Sequence, residues 1–215
     1  MSEEKIKNVE FLIIKTGWSK YRGDKKYYQD FLIKGRKQEK RRGLKMIRTA
    51  TKKDLPYILE IYNDAILHTT AIYDYNAHTI EDRIQWYENK IKDGYPILVA
   101  EENNTVVGFA TFGSFRPWPA FKYSIEHSIY VHEKYNNKGT GTLLLKSLIQ
   151  ISNESGFATM VAGIDGSNEK SIRMHEKLGF KYSGTISKAG FKFGKWLNLV
   201  FYQLELGGPK NPIEN

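Results

Sequence analysis

One α/β domain, with a central mixed sheet covered by helices on both faces, is what this sequence predicts, and three observations carry the prediction. Strand-like and helix-like segments follow one another from residue 46 in the order β-α-α-β-β-β-α-β-α-β-β, and crossover connections bring such interposed helices onto a sheet. The 215 residues are 40% hydrophobic, enough for one core of ordinary size. A β-rich run near residue 130 ends in two closely spaced glycines, Gly139 and Gly141, and a helical pattern opens directly after them.

Residues 46–50 read as the first strand. Thr51 with Asp54 is a capping-box arrangement that opens a helix, with Pro56 in its early turns. Ile58, Ile61, Tyr62, Ala65 and Ile66 form its apolar stripe up to about His68. A loop over 69–78 contains Tyr73 and Tyr75. Thr79 with Asp82 opens a second helix, carrying Ile84, Trp86, Tyr87 and Ile91 and closed near Gly94. Two strands over 97–101 and 105–112 are joined by the hairpin-type turn Asn103-Asn104. The aromatic loop 115–119 leads to a strand over 123–132. A helix over about 139–155 carries Leu144, Leu145, Leu148 and Ser152 on one stripe. A strand over 157–164, a helix over 168–178 and two strands over about 180–187 and 196–206 complete the order. The domain therefore spans 46–208, with an N-terminal extension over 1–45, natural or a mis-assigned start, and a C-terminal tail over 209–215.

Composition narrows the function classes. The chain has no cysteine, which excludes disulfides, thiolate metal sites and a cysteine nucleophile, and is compatible with a reducing cytoplasm. No run approaches the roughly 18 apolar residues of a membrane span, and the start of the chain is too charged for a signal peptide, so a cytoplasmic protein with no membrane partner is expected. The net charge of +9 suggests nucleic acid until it is located. Residues 1–45 hold 14 of the 33 Lys and Arg but 6 of the 24 Asp and Glu, which leaves the domain nearly neutral. The basic character describes an arm, with Lys34, Arg36, Lys37, Lys40, Arg41, Arg42 and Lys45, and argues against nucleic acid as the domain's partner.

The segment from Glu126 to Gly141 carries most of the chemistry. The first amides of a helix lack intrahelical acceptors and its dipole favours negative charge, so glycines there let a phosphate approach bare backbone; easing a strand-to-helix turn is the alternative use. Just upstream, Glu126 and His127 interrupt a strand-like run, placing an acid and an imidazole near that cradle.

Beyond this local reading, the Gly139-Thr140-Gly141 turn after the central strand, with Asn168, Ser171, His175 and Gly179-Phe180 in order behind it, resembles the GCN5-related N-acetyltransferases (GNATs). The runs 125–131 (IEHSIYV), 175–180 (HEKLGF) and 190–196 (GFKFGKW) resemble the phosphinothricin and methionine sulfoximine acetyltransferase branch. The resemblance covers about 46–206. It implies a mixed, mostly antiparallel sheet with a splayed central strand pair that holds acetyl-CoA. Ser128, Ile129, Tyr130 and Val131 would line the pantetheine. Asn136, Asn137, Lys138, Gly139, Thr140, Gly141 and Thr142 would hold the phosphates, although the family turn usually starts with Gln or Arg where Asn136 stands. Asn168 and Ser171 would face the CoA arm, a simple N-cap being the other use of Asn168.

Acetyl transfer to an amine needs a base, amide donors at the carbonyl and a proton for the thiolate. Glu126 is the expected base, acting through a water with a pKa raised by burial in a central strand. His127 should face the opposite side of that strand and serve in binding or support. His175 occupies the position where many GNATs place the tyrosine that protonates the thiolate, and an imidazolium could serve there or assist the base. For the acceptor, the resemblance points to Tyr73, to the loop residues Phe115, Arg116, Pro117 and Trp118, and to Ile125, Glu126 and His127. Arg116 would pair bidentately with an α-carboxylate. Asn198 stands where that branch often has aspartate.

The implied activity is acetyl-CoA-dependent transfer, in a ternary complex and without a metal, to the amine of a small amino-acid-like acceptor of the phosphinothricin, methionine sulfoximine or methionine sulfone type, by a homodimer. An acetyltransferase for protein N-termini or polyamines, and a non-catalytic CoA-binding module with an RNA-binding arm, remain the alternatives.

Overall fold

The computed structural model describes residues 46–214, so the expected basic extension over 1–45 lies outside the described residues. The elements are β1 (Met46–Thr49), α1 (Leu55–His68), α2 (Ile80–Lys92), β2 (Ile97–Glu102), β3 (Thr105–Ser114), β4 (Ser124–Val131), α3 (Thr140–Glu154), β5 (Thr159–Asp165), α4 (Glu169–Lys177), β6 (Lys181–Lys192) and β7 (Lys195–Glu205). They build one seven-stranded sheet in the order β1-β2-β3-β4-β5-β7-β6. Every neighbouring pair is antiparallel except β4 with β5.

Local rules account for the boundaries. The Asp54 carboxylate accepts from the Thr51 amide at 2.7 Å and from the Arg48 guanidinium at 2.7 and 2.8 Å, which starts α1 and pins it to β1. Thr79 accepts from the Asp82 amide and caps α2. Asn103 and Asn104 take φ of 52° and 63°, the left-handed pair that a two-residue hairpin turn between right-twisted strands requires.

Alternation along the strands divides the core between two faces. On the front, α1 and α2 cover Val99, Phe109 and Tyr130. On the back, Leu144, Leu145 and Leu148 of α3 pack with Phe112, Ile125, Met160 and Ala162. Because successive strand residues point to opposite faces, Glu126, Ser128 and Tyr130 belong to the front and Ile125, His127 and Ile129 to the back. Gly108 of β3 is fixed by close approach, since a Cβ there would lie 2.9 Å from the Tyr130 carbonyl oxygen.

Two expectations are corrected. Trp86 and Tyr87 of the expected α2 stripe pack on the core, but Ile84 does not and is 37% exposed; the helix turns Arg83 and Lys90 inward beside Trp86, and Arg83 is 2% exposed. Its guanidinium lies 3.9 Å from the Tyr62 ring centre and 4.7 Å from that of Trp86, so the aromatic faces take the place of apolar contact. The sixth strand does not stop near Ser187. It runs to Lys192 and pairs with β7 through two register shifts, with a tight turn at Phe193-Gly194 (φ of 51° and 73°). Both its faces are largely exposed, so no clean apolar alternation marks its length.

The pair that matters for function is β4 with β5. Its register covers only Ser124↔Thr159, Ile125↔Met160 and Glu126↔Val161, although β4 continues to Val131 and β5 to Asp165. Beyond Glu126 the two strands part, and β4 presents an open backbone edge on that side.

Candidate active site

Glu126 stands at the point of parting. Gly113 of β3 is its antiparallel partner and Val161 of β5 its parallel one. A Cβ on Gly163 would come 3.0 Å from Glu126 Oε1, so the missing side chain on β5 leaves room for the carboxylate. The Glu126 side chain is 37% exposed, with Oε2 4.0 Å from Arg116 Nη1. Burial pushes its carboxyl above the usual range, and the Arg116 charge pulls it partly back. Arg116 is itself held: its guanidinium lies 4.0 Å from the Phe115 ring centre and donates to the Phe115 carbonyl at 2.6 Å. A carboxylate so placed takes a proton more readily than a free one, and its neighbouring guanidinium can hold an anion.

Two cavities flank it on the front face. On the β3 side, one of about 840 Å³ is lined by His78, Arg83, Trp86, Lys90, Gly113 and Ser114 among others. On the β5 side, one of about 270 Å³ is lined by Phe115, Phe121, Val161, Phe201 and neighbouring uncharged residues. Tyr130 closes the floor toward α1, its ring centre 5.2 Å from that of Phe109 and 5.6 Å from that of Tyr62. Burial raises its hydroxyl to about 12, so it stays protonated.

His127 and His175 meet on the back face. Their rings stack at 5.1 Å with 14° between planes, the two Nε2 atoms 3.2 Å apart and both rings edge-on to Phe180. His175 Nδ1 lies 2.7 Å from the Ser171 carbonyl oxygen and must donate to it, so its Nε2 accepts from His127 Nε2. His127 Nδ1 is then a buried acceptor without a partner among the described residues. Burial holds both rings neutral, His127 down to about 3 with His175 adding to the depression, and His175 below its usual value against the pull of the Ser171 carbonyl.

The structure thus brings Glu126, Arg116 and Phe115 together on the front and sets His127, His175 and Ile125 on the back. Ile125 is 0% exposed in the core. Neither nitrogen of His175 is free to donate toward the parted strands. Pro117 and Trp118 are exposed in the loop before β4. Tyr73 crosses toward the sheet's far edge and packs where a Cβ on Gly190 would lie, at 3.3 Å.

The open edge of β4 carries Ser128, Ile129, Tyr130 and Val131. Downstream, Asn136, Asn137, Lys138 and Gly139 form an exposed turn before α3. Asn137 and Gly139 have φ of 63° and 78°, and such alternation around Lys138 turns successive amides into one concavity, an anion cradle. Gly139 is a backbone requirement, with open space where its Cβ would be. Gly141 is a packing requirement, its Cβ falling 3.3 Å from Met174 Sδ of α4. Thr140 is 1% exposed, and Thr142 follows in the first turn. Asn168 Oδ1 accepts from the Ser171 amide at 3.1 Å and caps α4, the simpler of its two expected uses. An unpaired strand edge for an extended amide chain and an amide-lined turn for phosphates fit CoA.

Sequence reading missed Arg83, Lys90 and Tyr62 in the larger cavity. The available signal was the seven-residue spacing of Arg83 and Lys90 around Trp86, which puts all three on one helical face.

Comparison with known proteins identifies the family. Residues 56–180 match the acetyltransferase (GNAT) family. The chain is 46% identical over 160 residues to an L-methionine sulfoximine/L-methionine sulfone acetyltransferase of Salmonella typhimurium, a match covering 74% of this chain and 94% of that enzyme. An N-acetyltransferase structure from Staphylococcus aureus shares 55% identity at a TM-score of 0.74, over 75% of this chain and 98% of that one. A phosphinothricin acetyltransferase from Sinorhizobium meliloti, solved in complex with acetyl-CoA, shares 34% identity at a TM-score of 0.75, over 78% of this chain and 92% of that one. With the parted β4–β5 pair, the amide-lined turn before α3 and these matches, the chain belongs to the GNAT family of acetyltransferases, as an acetyl-CoA-dependent N-acetyltransferase.

Proposed function

We propose that the enzyme acetylates the α-amine of small amino-acid-like acceptors of the methionine sulfone, methionine sulfoximine and phosphinothricin type, by direct transfer in a ternary complex. The observation that carries this reading is the half-buried Glu126 carboxylate at the point where β4 leaves β5, 4.0 Å from Arg116. Bound acetyl-CoA supplies an activated acyl carbonyl. Ser128 to Val131 would hold its pantetheine through the open strand edge, and the turn 136–139 its phosphates. Glu126 takes the proton of the acceptor ammonium, directly or through one water, and its raised pKa suits that task; the second proton, lost by the nitrogen once it is acylated, would leave with the departing thiolate. Arg116 holds the acceptor's α-carboxylate and so presents the adjacent amine to Glu126. The chain's lack of cysteine supports transfer without a covalent acyl-enzyme on sulfur. His175 acts as a positioning residue: through His127 it clasps α4 to β4 next to the parting point.

A thiol-release screen with acetyl-CoA tests the reading. Turnover is expected with methionine sulfone, methionine sulfoximine and phosphinothricin, and little with polyamines or N-terminal peptides. Acetyl-CoA binding without turnover of any amino-acid acceptor would contradict it.

We further propose a homodimer. Ile186, Phe191, Phe193 and Trp196 are 46–59% exposed on the β6–β7 hairpin at the edge of the sheet, an apolar patch suited to association. Light scattering at twice the monomer mass is the expected result, and a monomer at every concentration overturns it.

A further inference from the structure

The acids and cations around Glu126 are distributed unevenly. Gly113 pairs with Glu126 across β3 and β4, and a Cβ on Gly113 would lie 2.7 Å from Lys90 Nζ. The Lys90 ammonium therefore rests over Gly113 on the front face, on the β2 side of β3, one strand away from Glu126. The cavity that Lys90 lines reaches Gly113 and Ser114, the β3 partners of Glu126 and Ile125.

Lys90 spends one donor on the Phe112 carbonyl, at 2.8 Å. No carboxylate among the described residues lies within 4.0 Å of it. An ammonium has three donors; beyond the Phe112 bond its other contact is the Tyr95 ring, whose centre lies 5.2 Å away, so two donors have no hydrogen-bond acceptor among the described residues. Two turns back along the same face of α2, Arg83 is 2% exposed and its buried Nε has no partner among the described residues. It too has no carboxylate partner there; the Tyr62 and Trp86 rings and His78 Nδ1 at 3.4 Å surround its guanidinium.

Both cations line the cavity of about 840 Å³. The acids of the same cavity are otherwise engaged: Asp74 binds His78 and the Tyr75 amide, and Asp82 caps α2 through Thr79. Asp93 lies beyond the end of α2, where its charge only partly offsets the burial that lowers Lys90 to about 8. The cavity on the opposite side of Glu126 has no charged lining residue. A buried cation that lacks an acid is costly unless a ligand supplies the anion.

We propose that Lys90, backed by Arg83, forms a subsite for the side-chain oxygens of the acceptor, sulfone, sulfoximine or phosphinate, and so sets specificity for oxidised or anionic tails. This rests on the amino-acid acceptor reading above, in which Arg116 takes the α-carboxylate and Glu126 the amine. The α-carboxylate then sits at Arg116, the amine at Glu126 and the tail in the cavity on the β3 side. An acceptor of equal length without tail oxygens fills the same space but leaves the two Lys90 donors unpaired.

Lys90→Met and Lys90→Gln test the subsite, the second keeping a donor for the Phe112 carbonyl in case the first fails to fold. kcat and KM are measured for methionine sulfone and for methionine. The expected result is a rise of about tenfold or more in KM for the sulfone, the range for losing a hydrogen bond to a charged group, with kcat little changed and acetyl-CoA KM unaffected. The sulfone-to-methionine ratio of kcat/KM should fall by the same factor. An unchanged ratio in the folded variant overturns the proposal, whether both acceptors are unaffected or both decline together, because the latter marks a structural or carboxylate role. If wild type turns over neither acceptor, the acceptor reading itself fails, which is a different outcome.

Discussion

Replacing Glu126 by glutamine is expected to lower kcat by about 10²–10⁴-fold while acetyl-CoA binding stays at its wild-type value. Glutamine keeps the shape and the polar contact beside Gly163 and Arg116 but has no lone pair basic enough to take a proton from an ammonium. The cofactor edge is the backbone of β4 beyond Glu126 and the turn over 136–139, neither of which the substitution touches. The wild-type kcat/KM should fall with acid along a limb set by a carboxyl above the usual range, because burial raises Glu126 more than Arg116 lowers it. That limb should vanish in the variant. A glutamine enzyme within a few-fold of wild type would remove Glu126 from the reaction.

Mild acid is expected to destabilise the protein through the His127–His175 pair, well before its structural carboxylates titrate. An imidazole in the unfolded chain takes up a proton near 6.5, whereas folded His127 does so only near 3. Between those values the unfolded state binds more protons, so stability falls as pH falls. Above 6.5 the pair's contribution is complete. Below it, His127 alone costs about 1.4 kcal/mol per pH unit, and His175, also depressed, adds to the loss. Asp54 and Asp82, held below the usual carboxylate range, make their own losses at lower pH, which leaves pH 6.5 to 4.5 as the diagnostic window. Urea midpoints across that window should drop steeply for wild type and much less for a His127→Leu/His175→Leu variant. Parallel curves for the two proteins would show that the pair carries no such cost.

Where one residue and its near neighbours decide the structure, the sequence was legible. Thr51 with Asp54, Thr79 with Asp82 and Asn103-Asn104 are local devices that work alike in most folds, and the structure uses all three. Period-two alternation was enough to place Glu126 and His127 on opposite faces of β4. The inward face of α2 was legible only in part: Trp86 and Tyr87 were expected and pack on the core, but Ile84 and Ile91 complete as good a helical stripe with them as Arg83 and Lys90 do. Tyr62 on α1 and the β3 backbone at Phe112 and Gly113 decide between them, and both lie far from α2 in sequence. The contact between His127 and His175 joins residues 48 apart, and it determines which protons His175 can offer. The length of β6 depended on register shifts against β7 that no pattern along β6 alone reveals.

A crystal structure with CoA and methionine sulfone bound together tests the central claim most directly. The predicted result is CoA along the open edge of β4 beyond Glu126, with the acceptor amine on the front face within hydrogen-bond reach of the Glu126 carboxylate or one water from it. An acceptor amine on the back face beside His127 and His175, with Glu126 facing solvent, would contradict the account.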